Sequence, residues 1–271
     1  MVRVISIIDD QGVERFLGNN EPDGPLRFGG PIYGDAPTTP MISRSRWPEL
    51  IAGYMLGPDH PFLPPVHDQD GIGQCNADAT AGMTEFARAL AGQPFVQLSA
   101  ADLYHRINGG RDQGSLLEDA MQELTARGIG TAATCGTLWD RAFRPAPEAE
   151  RLRFRALEVW LCPNFDCVMS AILSGFAVNS GILWYANYRP DAEGWLPERR
   201  QGGAGGHAVM GYKPAVRDGR FGIWHQNSWT TQWGGFGGRC VFPEAAYSRE
   251  IGGCWALRAV VDEGGGLPPP A

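Results

Sequence analysis

The run QDGIGQCNADATAGMTEFARAL, residues 69–90, decides the reading of this chain. After Gly73, apolar residues recur at helical spacing: Ala79, Met83, Phe86, Ala87 and Leu90 share one stripe, which ends near Ala91 and Gly92. The spacing predicts a helix that begins at or just before Cys75. A cysteine is more often a small buried apolar residue than a nucleophile. At a helix amino terminus, however, unpaired N–H groups and the helix dipole favour the thiolate, the species that attacks a carbonyl.

Such a nucleophile needs a partner to hold its proton and return it to a leaving group, and histidine is suited to both near neutral pH. Among five histidines, His207 is the best placed, because it follows GGAGG and opens the apolar strand HAVMGY, residues 207–212. Asn227 ends a second strand, FGIWHQN, which should pair with the first as a hairpin. An amide oxygen there can accept the imidazole N–H and fix the ring so that its other nitrogen faces sulfur. Trp229 lies two residues on, where it can shield that bond from water. His225 shares a strand face with Asn227 and reads as a packed core histidine. His67 reads as exposed near Gln69, and Asp191, Glu193 and Trp195 as an exposed loop ahead of His207.

Working outward, Ser115-Leu-Leu-Glu118 has the pattern of a capping box before a helix through Ala120, Met121 and Leu124 to Gly128. A further helix runs from an Asn164 cap to Gly175, followed by a strand over 176–185. The last hundred residues are short apolar segments between glycine-rich turns. Helices early and antiparallel strands late predict an α+β protein of two lobes with a cleft between them. The expected organisation is an extension over 1–40, a domain over 41–260 and a flexible tail over 261–271. Within the domain the helical lobe takes about 68–150 and the β-rich lobe about 160–260. The extension lacks a long amphipathic helix and is expected to lie as a strap on the surface.

The chain has 271 residues, 43% of them apolar, and a net charge of -7, with no basic patch to hold nucleic acid. Its first residues, MVRVISIIDDQGVERF, lack the basic start and long apolar run of a signal peptide. The uncharged stretch 167–188 is broken by Ser174, Gly175 and Asn179, so it reads as a helix and a buried strand rather than a membrane span. Six cysteines show no C-x-x-C spacing and are expected as free thiols. Neither a metal nor another cofactor is expected, and the chain is expected to act as a cytoplasmic monomer.

These segments together resemble the papain family of cysteine peptidases. His207 and Asn227 lie 132 and 152 residues after Cys75, close to the family's interval of about 130–150. Pro65-Val66-His67-Asp68-Gln69 looks like the family's P-V-x-N-Q segment, and Gln69 precedes Cys75 by six residues. Gly206-His207-Ala208-Val209, Asn227-Ser228-Trp229, Trp233-Gly234 and Gly237 follow the order of its histidine strand and its N-S-W-G-x-x-W-G segment. The resemblance covers about residues 41–260. It implies a papain-like two-lobe fold, with a helical left lobe carrying Cys75 and a β-barrel-like right lobe carrying His207 and Asn227. It also implies hydrolysis of a peptide or protein substrate through an acyl-thioester, with Gln69 and the Cys75 backbone N–H stabilising the oxyanion. Gly114, by its spacing from the following helix, is the implied contact for the substrate backbone, with Gly73, Gly206 and Trp229 beside it.

The departures are specific. Asn76 stands for the usual tryptophan, Gln74 for a small residue, Thr230 for glycine, and Ile72 for a cysteine whose disulfide therefore cannot form. The strand after His207 is two residues shorter than the family pattern. Such differences imply a divergent bacterial or bacteriophage member, which in the second case would act in the virion or host cytoplasm. They also leave open an inert papain-like binding protein, or a related thiol transpeptidase or cell-wall peptide hydrolase.

Overall fold

A computed structural model describes residues 5–9, 11–54, 57–258 and 260. The expected tail over 261–271 and the first residues of the amino-terminal strand lie outside the described residues. In chain order the strands are β1 (Ile5–Ile8), β2 (Glu14–Leu17), β3 (Trp160–Cys162), β4 (Ala177–Tyr185), β5 (Ala204–Arg217), β6 (Arg220–Gln226), β7 (Arg239–Pro243) and β8 (Glu250–Leu257). The helices are α1 (Trp47–Ala52), α2 (Cys75–Leu90), α3 (Ala100–Ile107), α4 (Leu117–Ala126), α5 (Ala132–Cys135), α6 (Glu148–Arg151) and α7 (Phe165–Leu173).

Helix α2 begins at Cys75, where the apolar stripe placed it, and buries Ala79, Met83, Phe86 and Ala87. It packs against β5, and the contact is close enough that a Cβ at Gly82 would stand 3.3 Å from Met210 Sδ. Alternate residues of β5 face opposite ways, as the pleat requires. Ala208, Met210 and Tyr212 join the core built by α2, α3 and α4, whereas Val209 joins the core of α7 and the remaining strands. The strand that carries His207 thus divides two cores and belongs to both.

The six strands β3-β8-β4-β5-β6-β7 form one sheet in that order, and every pairing is antiparallel. It is not the barrel-like lobe the resemblance implied. Its two edges are covered by loops instead of meeting each other: Pro31–Tyr33 bonds along β3, and Gly194–Leu196 along β7. Capping both edges removes the unpaired backbone groups that closure would otherwise satisfy.

The segment over 167–188 is the end of α7 followed by β4, and Asn164 caps α7 by accepting from Cys167 N at 3.0 Å. Among the described residues, no helix is long and apolar enough to cross a membrane. The capping box at Ser115 is not formed, because α4 starts at Leu117 with Leu116 in the cap position. Its two polar residues are used elsewhere: Ser115 Oγ accepts from Asn76 Nδ2, and Glu118 accepts from the Arg27 and Phe28 N–H groups.

His67 is buried, not exposed, and fastens the segment before Cys75 to α2. Its ring lies 3.2 Å from Asp78 Oδ1 and 3.1 Å from Glu85 Oε2. Burial pulls its pKa down, but the Glu85 charge and the hydrogen bonds of Asp78 and Glu85 outweigh it and raise the value to about 10. A folded-state pKa above the unfolded one gives stability that is complete below about pH 6.5 and lost as pH rises through the folded value. The melting temperature is therefore expected to fall between pH 7 and 10. In His67→Gln that slope should be visibly flatter; parallel pH profiles for the two proteins would refute the assignment.

Candidate active site

The β5–β6 hairpin turns at Asp218 and Gly219, both at positive φ (51° and 74°), as a tight two-residue turn requires. Met210 faces Gln226 in its register, so His207 and Asn227 stand together at the open end. His207 Nε2–H donates to Asn227 Oδ1 at 2.8 Å; that oxygen also accepts from Ser228 N, which fixes it as the acceptor. The other ring nitrogen, Nδ1, is buried and has no hydrogen-bond partner. An unsatisfied buried nitrogen costs about 1–3 kcal/mol, and a reactive role is one of the explanations such a group admits. Trp229 stacks on the ring at 4.8 Å and 25°, and Trp184 meets it edge-on at 5.0 Å. Burial holds the imidazole down at about pKa 4 against the pull of the Asn227 bond, so it is neutral.

Cys75 stands at the start of α2, fully buried, with the backbone of Ala208, next to His207, near enough to its sulfur to favour the thiolate. The helix start was expected to favour the thiolate, but burial pushes the thiol up to about 11, over the pull of backbone hydrogen bonds from Gly18, Ala208 and Asn76. The magnitudes decide this. A helix terminus contributes about 0.3–2 kcal/mol, near one pKa unit, whereas full desolvation moves a group by up to about 3–5 units.

Gln69 is held by its own backbone N–H on Ser228 O at 3.0 Å, and its side-chain oxygen accepts from Ser228 Oγ (2.7 Å) and Trp229 Nε1 (3.1 Å). One bond from its side-chain nitrogen goes to Ile72 O at 2.7 Å. The other, at 2.8 Å, goes to Phe16 O.

That last bond shows what covers the cysteine. The amino-terminal extension is not a strap on the surface, since residues 14–20 pass through the cleft. Asn19 N donates to Gly206 O at 3.0 Å, Ser115 N to Gly18 O at 2.8 Å, and Asn20 N to Ser115 O at 2.9 Å. Asn19 thereby forms a parallel bridge with Ser115. The passage admits only glycine at its narrowest point, for a Cβ on Gly18 would fall 2.0 Å from Gly73 O. Asp9 secures the approach: its carboxylate takes the Gln11 and Val13 N–H groups and Arg15 Nε, and the Arg15 guanidinium lies over Trp229.

Of the residues singled out for substrate contact, Gly73 and Gly206 border the covering segment directly. Gly114 presses against Gly18 O without bonding to it, and its N–H donates to Tyr104 Oη. The hydrogen-bonding wall is Ser115, one residue later. Trp229 backs His207 and Gln69 rather than lining the channel. His225 is a core residue, bonded to Ile223 O, Ser180 Oγ and Tyr247 Oη. Trp195 is buried, while Asp191 and Glu193 are exposed and pair with Arg217.

The departures near Cys75 are accounted for. Asn76 Nδ2 donates to Ser115 Oγ and Leu116 O, and its Oδ1 accepts from Asn179 Nδ2, so it ties α2 to the wall and to β4. Gln74 holds the loop at Thr137 and Trp139. The sequence reading missed Ser115, Asn179, Trp184, Tyr104 and the covering segment; Gly18, a glycine directly after a strand, was the one available signal. Cys75, Cys135 and Cys240 are free thiols.

No family model and no curated protein sequence matches the chain. Solved structures do. Xylellain, a cysteine protease from Xylella fastidiosa, aligns at TM-score 0.66 with 18% identity, over 90% of this chain and 96% of its own. ProCathepsin B S9 from Trypanosoma congolense aligns at TM-score 0.63 with 14% identity, over 89% and 86%. Digestive procathepsin L 3 from the larval midgut of Tenebrio molitor aligns at 0.59 with 14% identity, over 89% and 83%. The fold of this chain is therefore that of the papain-like cysteine proteases.

Proposed function

We propose that the chain is a cysteine peptidase that its own residues 14–20 hold closed. The observation that carries the proposal is the His207–Asn227 bond, which leaves a buried imidazole nitrogen unpartnered beside a strand whose next backbone group lies near the Cys75 sulfur. Two of the similar structures are procathepsins. Asn76, the departure that favoured an inert cleft, is spent on the wall and on β4.

In the open form, His207 Nδ1 takes the thiol proton while the sulfur adds to a substrate carbonyl. Asn227 keeps the other nitrogen protonated and the ring aimed, and Trp229 and Trp184 keep water from that bond. The developing oxyanion is received by the Gln69 N–H now spent on Phe16 O and by the Cys75 backbone N–H, one of the helix-terminal donors without an intrahelical acceptor. His207 returns its proton to the leaving amine, and water then cleaves the thioester by the same route in reverse. In the closed form the Gly18 backbone lies near enough to the sulfur to favour the thiolate, while its carbonyl is turned away onto Ser115 N. The segment thus fills the cleft without offering that carbonyl for attack.

Gly18→Val has no room beside Gly73 and is expected to expel the covering segment. Alkylation of Cys75 by iodoacetamide at pH 6 should then rise at least about tenfold, with Cys135 unchanged, because desolvation no longer suppresses the thiolate. Unaltered labelling of Cys75 would sink the closed-form reading. In the same background, peptide turnover should appear, vanish in Cys75→Ala and drop about 100- to 1000-fold in Gln69→Ala. Turnover that survives Cys75→Ala would dispose of the peptidase reading.

A further inference from the structure

A backbone N–H and a carboxylate meet at one buried hydroxyl beside the cleft. Tyr104 is fully buried in α3, and its Oη accepts from Gly114 N at 3.0 Å while donating to Asp112 Oδ1 at 2.7 Å. The same carboxylate oxygen accepts from Gly73 N at 2.9 Å. Gly73 lies two residues before Cys75, and Gly114 one before Ser115, whose backbone is the hydrogen-bonding wall of the channel. The two glycine loops that form the narrowest part of the channel are therefore joined through Tyr104 and Asp112. No covalent link joins them: Ile72 stands beside Gly73, and Cys75 is a free thiol. On the far side of the nucleophile, Asn76 makes the second tie to the same wall through Ser115 Oγ and Leu116 O.

We propose that Tyr104 and Asp112 are positioning residues, a noncovalent clasp that sets the width of the substrate channel by holding the Ser115 wall to the loop before Cys75. The role follows from where the bonds end. Among the described residues the hydrogen bonds of the two side chains end on Gly114 and Gly73 and not on the sulfur, His207 or Gln69, so the clasp acts on the binding of an extended backbone more than on the chemical step. Gly18 fits between Gly73 and Gly114 without a side chain, so the channel depends on this spacing to grip main chain instead of side chains. The wall presents a donor and an acceptor on Ser115, the pair that an extended peptide backbone recognises.

This inference rests on the peptidase reading, and the test separates the two. In the full chain carrying Gly18→Val, Tyr104→Phe removes the hydroxyl and keeps the ring. KM for an extended peptide substrate should rise about tenfold, the equivalent of one or two hydrogen bonds, with kcat within about twofold and the Cys75 alkylation rate unchanged. Asp112→Ala should match it, and Asp112→Asn, which keeps an acceptor oxygen, should raise KM at least about threefold less than Asp112→Ala does. Loss of kcat at constant KM, or equal effects of Asn and Ala at position 112, would overturn the clasp. Amide hydrogen exchange on the otherwise unaltered chain gives a readout independent of turnover: Tyr104→Phe should expose the Gly114 amide, and Asp112→Ala the Gly73 amide. Unchanged protection at both would also overturn it, whereas no turnover in the Gly18→Val parent would count against the peptidase alone.

Discussion

The packing of α2 on one face of β5 is the constraint on which the rest depends. It is hydrophobic burial of an ordinary kind, with Met83 and Phe86 in the same core as Ala208 and Met210. Its effect is anything but local. It brings the helix start at Cys75 and the strand residue His207, 132 positions apart in sequence, to one place, and small residues at the contact let the two backbones approach. Because strand pleating alternates, the same packing that sends Ala208 towards the helix sends His207 to the other side, where Trp184 and Trp229 enclose it.

Around this contact the polar groups of the site are organised by local chain geometry more than by long-range design. The two-residue turn at Asp218-Gly219 and the register shift between Gly211 and Lys213 together set the pairing that places Asn227 against His207. The bridge between Asp68 and Trp229 delivers Gln69 to the same end of the sheet, and His67, ionised between two carboxylates of α2, secures that delivery from behind. A buried ionic group of this kind stabilises the fold only while the imidazole stays protonated, and removing one partner leaves the others uncompensated. It also serves to position Gln69.

The helix of Cys75, the hairpin of His207 and Asn227 and the approach of Gln69 were legible in the sequence, because each rests on a periodic pattern or a short fixed interval. What was not legible rests on contacts without a local signature. Ser115-Leu-Leu-Glu118 carries the letters of a capping box, but Asn76 and the Arg27–Phe28 backbone compete for those side chains and win. His67 looks like a surface residue until Asp78 and Glu85, one helical face of α2, are seen to enclose it. The sheet fails to close because two loops far apart in sequence reach its edges first. Most of all, Cys75 was read from its own helix, whereas its full burial, which no helical pattern announces, governs its ionisation.

The covering segment is part of the same molecule as the cleft it fills, and that changes the arithmetic of competition. A tethered ligand acts at an effective concentration of roughly millimolar for short flexible connections, so an external peptide present at micromolar levels is outnumbered about a thousandfold before affinity is considered. Occupancy by any outside chain is then limited by how often the tether lets go, not by how well the newcomer fits. On the proposed closed-form reading, the backbone contacts at Gly18, Asn19 and Asn20 work as a clock: the fraction of time they are broken sets the tempo of the reaction at Cys75.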